Sequence, residues 1–164
     1  MTDKRTRDPT EPKPNRNRTF IDFWYNLNME KDLITNIVLE DYKTRNGYSL
    51  AKKIDMGDFY MIFVSGVQAP KDENHRVIID DIEEQTKLVY EDIAKILAKA
   101  DATLDDVVKT VTYITDMNEF DRISKVRREY FKNSMPVSTL IEVNRMTRDG
   151  AKIEVEATAI IKKK

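Results

Sequence analysis

Glu154 and Glu156 stand two residues apart in Lys152-Ile-Glu-Val-Glu-Ala157. In a strand both carboxylates point to one side of the sheet, while Ile153, Val155, Ala157, Ala159 and Ile161 point to the other. A carboxylate can orient water or accept a proton, and it can equally lie in solvent; spacing alone leaves both readings open. Other reactive side chains are scarce. The chain has no cysteine, which rules out thiolate nucleophiles, disulfides and thiolate-held metals. Its one histidine, His75, lies in the polar stretch 71–76. A multi-histidine metal site within one chain is therefore excluded, and a Ser-His-Asp triad would have to use a loop residue. With no thiol and a single imidazole, the chemistry these residues most readily offer is positioned water, a carboxylate and hydrogen bonds.

These groups need a scaffold, and 164 residues suffice for one domain with a sizeable core. The formal net charge is -1, so nothing in the overall balance draws the chain to nucleic acid or an anionic membrane. No long apolar run and no apolar segment behind a basic start are seen, so the expectation is a cytoplasmic protein without a membrane partner.

Residues 1–18 hold three prolines and a local excess of basic residues, which reads as a flexible tail. Phe20, Phe23, Trp24 and Leu27 fall at helical spacing, so 19–34 reads as an amphipathic helical extension. The domain proper is expected over 35–164. It opens with a strand in Leu33–Leu39, then a strand pair across Gly57-Asp58, the second strand being the apolar run from Phe59 to Val64, which ends at Ser65-Gly66. A helix follows over 80–100 with Ile82, Val89, Ile93, Ile96 and Leu97 on one face, and acids at its positive end. Val107 to Thr115 reads as a strand. A second helix opens at Asn118, with Phe120, Ile123, Val126 and Tyr130 on its buried side. The stretch from Pro136 to Ile161 reads as a closing hairpin across Thr147-Arg148-Asp149-Gly150. This order predicts an α+β fold with both helices on one face of a mixed sheet.

Several short stretches resemble, in order and spacing, the Rid (reactive intermediate deaminase) family, also called the YjgF family. They include Gly47-Tyr48-Ser49, Gly57-Asp58 with Phe63-Val64-Ser65-Gly66, Leu104-Asp-Asp-Val-Val-Lys-Thr110, Thr115-Asp-Met-Asn-Glu-Phe120, Tyr130-Phe131 and the Lys152–Ala157 segment. The resemblance implies a chorismate-mutase-like (YjgF-like) subunit and a homotrimer whose sheets close into a barrel. It also implies small-molecule clefts between neighbouring subunits, and water-dependent conversion of 2-aminoacrylate-type enamines and imines to 2-keto acids and ammonia with no metal and no organic cofactor. On this pattern Glu154 falls on the water-orienting glutamate, and Tyr48, Ser65, Gly66, Ser124, Ser138 and Leu140 fall on ligand-binding positions.

Ser138 stands where active members carry an arginine that grips the substrate carboxylate, and Ser124 stands where they carry an asparagine. A hydroxyl cannot replace a fork of charged donors, and losing such a pair costs about 2–4 kcal/mol, or about thirty- to a thousand-fold in affinity. Arg145, seven residues beyond Ser138, points to the opposite face of a regular strand. Arg128, four residues after Ser124 on a helix, projects on the same side as that serine; Arg128, or Arg127 beside it, is the candidate replacement cation. Three functions are weighed: a trimer binding a small metabolite with weak or altered deaminase activity; an ordinary 2-iminobutanoate/2-iminopropanoate or 2-aminomuconate-type deaminase; and a protein- or RNA-interaction module using the N-terminal extension. A nucleic-acid partner is not expected, because the basic, aromatic groove it needs is missing.

Overall fold

The alternation in the last strand organises the sheet. The computed structural model describes residues 33–39 and 47–163, so the expected tail and the amphipathic helix of 19–34, up to residue 32, lie outside the described residues. Its six strands are β1 (Ile34–Ile37), β2 (Ala51–Asp55), β3 (Phe59–Gln68), β4 (Val107–Ile114), β5 (Val137–Glu142) and β6 (Ile153–Lys162), and they lie in the order β1-β2-β3-β6-β4-β5. Ile153, Val155, Ala157 and Ala159 of β6 are buried, while Glu154, Glu156 and Thr158 between them are half-buried on the opposite face. Two helices, α1 (Ile82–Ala98) and α2 (Phe120–Tyr130), cover the first of these faces and close the core. The expected mixed sheet with both helices on one side is what the chain forms. No helix among the described residues is long and apolar enough to cross a membrane.

The closing hairpin is not found. β5 and β6 are not neighbours: β4 lies between them, parallel to β5 and antiparallel to β6. The connection from Val143 to Lys152 therefore crosses the width of a strand, about 10 Å, which a tight turn cannot span. It is pinned along its length. Gly150 takes φ +78, and a Cβ there would stand 2.2 Å from the carbonyl oxygen of Val77, so only glycine fits. The fully buried Gln85 of α1 donates from Nε2 to the carbonyls of Ile79 (2.6 Å) and Gly150 (2.9 Å), and its Oε1 accepts from Lys152 N at 2.9 Å.

α1 starts where its acids suggest. Asp81 is the N-cap, its carboxylate accepting from Glu84 N at 3.0 Å, and Ile82, Val89, Ile93, Ile96 and Leu97 form the buried stripe. Ile123 and Val126 of α2 are buried as expected. Phe120 is not: it lies one turn before Ile123 and Ser124 in helical geometry, yet as the first residue of the helix it is 40 % exposed. Asp81 also pairs with Arg122 of α2. The Glu84 amide and then the Arg122 guanidinium hold the Asp81 carboxyl below its usual value of 3.8. A depressed carboxylate stabilises the fold above its unfolded pKa, and that contribution is lost as the pH falls through the folded value. Asp81→Ala is accordingly expected to lower the urea midpoint near pH 7, and the gap to the parent chain should close in acid. A gap that is independent of pH would refute this.

Candidate functional site

Glu154 owes its position to an irregularity in the strand beside it. Residues Ser65 and Gly66 of β3 form a bulge, since the register with β6 slips between Val64 and Val67. The bulge sets a residue without a side chain against the Glu154 carboxylate: a Cβ at Gly66 would stand 1.8 Å from Oε1. Beyond the bulge Gln68, 6 % exposed, pairs directly across from Glu154 and donates from Nε2 to its Oε2. The same amide nitrogen donates to Thr147 Oγ1 at 2.9 Å, and Gln68 Oε1 accepts from Arg148 N at 3.3 Å. With both ends of the amide used, its orientation follows from the network. Arg148 completes the clamp by donating from Nη1 to the carbonyls of Gln68 (3.1 Å) and Ala69 (2.8 Å).

On the other flank of β6, Tyr113 of β4 pairs across from Glu154, and its phenol donates to Glu156 Oε1 at 3.4 Å. The charge on Glu156, and then burial, push the Tyr113 hydroxyl above its usual pKa and keep it a donor. Gln68 and Tyr113 carried no sequence signal beyond strand parity. Their roles emerge only from register.

The other expected residues divide between separate places. Tyr48, which is 45 % exposed, and Ser65 line an open cavity of about 570 Å³ with Lys52, Lys109 and Glu156 on the helix-free face. The Ser65 hydroxyl is buried there without a hydrogen-bond partner among the described residues. Gly66 and Gln68 line a second cavity of about 670 Å³ beside α1, with Leu50, Ile96 and Arg148. Among the described residues no group of three or more His, Asp or Glu side chains is placed to hold a metal ion.

Ser138 and Ser124 do come together. Ser138, on edge strand β5, pairs with Thr110 of β4, and Thr110 Oγ1 donates to Ser138 Oγ at 3.1 Å. Thr110 is buried on the helix-covered face, so Ser138 and Glu154 lie on opposite faces of the sheet within one chain. Leu140, two residues on, packs half-buried against the core. The Arg127 guanidinium reaches both serines, Nη1 donating to Ser138 Oγ at 3.2 Å and Nη2 to Ser124 Oγ at 3.4 Å. Arg128 is exposed. Positions three and four apart on a helix are both neighbours, and here the nearer one makes the contact.

A six-stranded mixed sheet with both helices on one side, a bulge glycine under a strand glutamate and this order of elements define the YjgF-like class. A family model described as endoribonuclease L-PSP matches residues 40–161. A RutC family protein of Pyrococcus abyssi is 45% identical over 113 residues, covering 68% of this chain and 84% of that one. The mouse protein named 2-iminobutanoate/2-iminopropanoate deaminase is 27% identical over 113 residues, covering 69% of this chain and 80% of its own. A solved structure from Mycobacterium tuberculosis, titled a member of the YjgF/YER057c/UK114 family, superposes with a TM-score of 0.66 at 29% identity, covering 78% of this chain and 99% of that one. The chain belongs to the Rid (YjgF) family, and its function is of the Rid type.

Proposed function

We propose that this chain hydrolyses small 2-imino or enamine acids, with an altered substrate preference, in clefts formed between copies of itself. The observation that carries the reading is the Glu154 carboxylate, held by Gln68 and set over the bulge glycine where no side chain competes for space. A carboxylate so fixed orients a water toward the imine carbon and accepts its proton as the C–O bond forms. The Glu154 carboxyl returns that proton to nitrogen, and the amino alcohol expels ammonia and leaves a 2-keto acid; an enamine first takes a proton on carbon to become the imine. No oxidant or reductant is needed. The name of the mouse relative supports this substrate class. Exchange of the strand arginine for Ser138 supports the altered preference.

The cleft needs a second copy, because Glu154 and Ser138 occupy opposite faces of one sheet. Phe63, Ile141 and Ile160 on the helix-free face are 44 %, 42 % and 37 % exposed in the single chain, an apolar surface suited to burial between subunits. We read the assembly as the homotrimer the family resemblance implies. The test is release of ammonia and 2-keto acid from freshly generated 2-aminoacrylate, run beside light scattering of the full chain. Turnover above the spontaneous rate by a species three times 19.2 kDa is expected. A stable monomer, or no acceleration with any small imino acid, would overturn it.

A further inference from the structure

Arg127 lies half-buried in the last turn of α2, and its guanidinium spans from that helix to edge strand β5. Its partners among the described residues are the hydroxyls of Ser138 at 3.2 Å and Ser124 at 3.4 Å, long distances for a charged donor. No carboxylate among the described residues pairs with it. The other half-buried arginines are better satisfied: Arg122 meets Asp81, Glu83 and Glu119, and Arg148 meets two backbone carbonyls. Of the five N–H donors on Arg127, two are used by the described residues, both on neutral acceptors. The wall behind is closed. Ser124 is 4% exposed, Thr110 is 1% exposed, and the buried Tyr90 ring lies close enough for its hydroxyl to feel the Arg127 charge. The front is open, because Ser138 sits exposed on the sheet edge and its own O–H is left to donate outward.

We propose that Arg127 is the anion anchor of this protein, taking the carboxylate of a small 2-keto or 2-imino acid on its free guanidinium edge, with the Ser138 hydroxyl as an added donor. The inference rests on the small-acid reading above and assigns the residue that grips the acid group. Helix α2 delivers the cation, and β5 supplies only a hydroxyl to steady it. A basic residue in a last helical turn also complements the helix dipole, but the exposed Arg128 does that equally and reaches neither serine.

The probes are pyruvate and 2-oxobutanoate, titrated by calorimetry into the full chain. Arg127→Ala is expected to weaken both by about 10–100-fold, as loss of a charge-assisted pair does. Arg127→Lys, which keeps the charge and loses the fork, should weaken them less. Lys132→Ala removes an equal charge from an exposed residue five positions further along the chain and should change nothing. Adding Ser138→Arg to Arg127→Ala should restore binding, since residue 138 stands where the guanidinium now rests. Should Arg127→Ala melt early, Arg127→Lys and the double variant still read the effect. Unchanged affinity in Arg127→Ala, an equal loss in Lys132→Ala, or a parent chain that binds neither acid overturns the proposal. Imine turnover measured in parallel separates the two readings. Keto-acid binding that depends on Arg127 without turnover sinks the deaminase and leaves the anchor; turnover with an unaltered KM in Arg127→Ala does the reverse.

Discussion

Glu154→Gln is expected to cut kcat on 2-aminoacrylate by about 10²–10⁴-fold, the range a positioned proton acceptor supplies. The amide keeps the shape of the side chain and can still accept from Gln68 Nε2 through its carbonyl oxygen, so stability and oligomeric state should hold. Gly66→Ala reaches the same carboxylate from the other side. Gly66 needs no left-handed backbone, and the atoms in the way of an added Cβ all belong to the Glu154 side chain, nearest at 1.8 Å. The fold can therefore accept the methyl group by swinging the carboxylate away, and activity should fall toward that of Glu154→Gln with little change in melting temperature. Wild-type turnover in Glu154→Gln would remove this residue from the chemistry.

The largest expected loss of stability is at Tyr90. The ring is 1% exposed on the buried side of α1 and packs against Tyr130 (5.4 Å between centroids, tilted) and Phe131 (5.0 Å, edge to face) where α2 ends. Tyr90→Ala opens a cavity at that junction and should cost about 3–5 kcal/mol, a large part of the ~5–15 kcal/mol that holds a typical domain. Tyr90→Phe keeps the packing. It tests a second effect, because burial pushes the Tyr90 phenol well above its usual value of 10.0, the Arg127 charge opposing only in part. Above about pH 10 the unfolded chain releases this proton and the folded chain does not, so stability declines with rising pH. In Tyr90→Phe that alkaline decline should be shallower. Urea midpoints of the three chains between pH 8 and about 11 would check both expectations, and an unchanged midpoint for Tyr90→Ala would refute the packing argument.

How legible was this in the residues? Period two in Ile153–Ile161 and period 3.6 in Ile82–Leu97 reflect local geometry, and they placed β6 and α1 with the correct buried faces. The pairing of strands is not local. The segments around Ser138 and Glu154 look like hairpin partners because they are adjacent in the chain and alternate in the same way. The parallel partner that separates them, β4, arrives from the far side of helix α2. Phe120 shows the same limit on a smaller scale: helical spacing put it in line with the buried side, but at the first residue of α2 it is left 40 % exposed.

Composition by itself left only a few kinds of chemistry open, since a chain without cysteine and with one histidine has few reactive groups. The motif series was enough to indicate the family, because each short piece recurs in order along one chain. Tertiary structure alone decided which atoms meet. The bulge that puts Gly66 against Glu154, the register that brings Gln68 to the same carboxylate, and the turn of helix that presents Arg127 instead of Arg128 to two serines all depend on contacts between residues distant in sequence or on a single step of helical phase. Side-chain periodicity tells which face a residue is on; which neighbour it finds there is set by how separate elements pack.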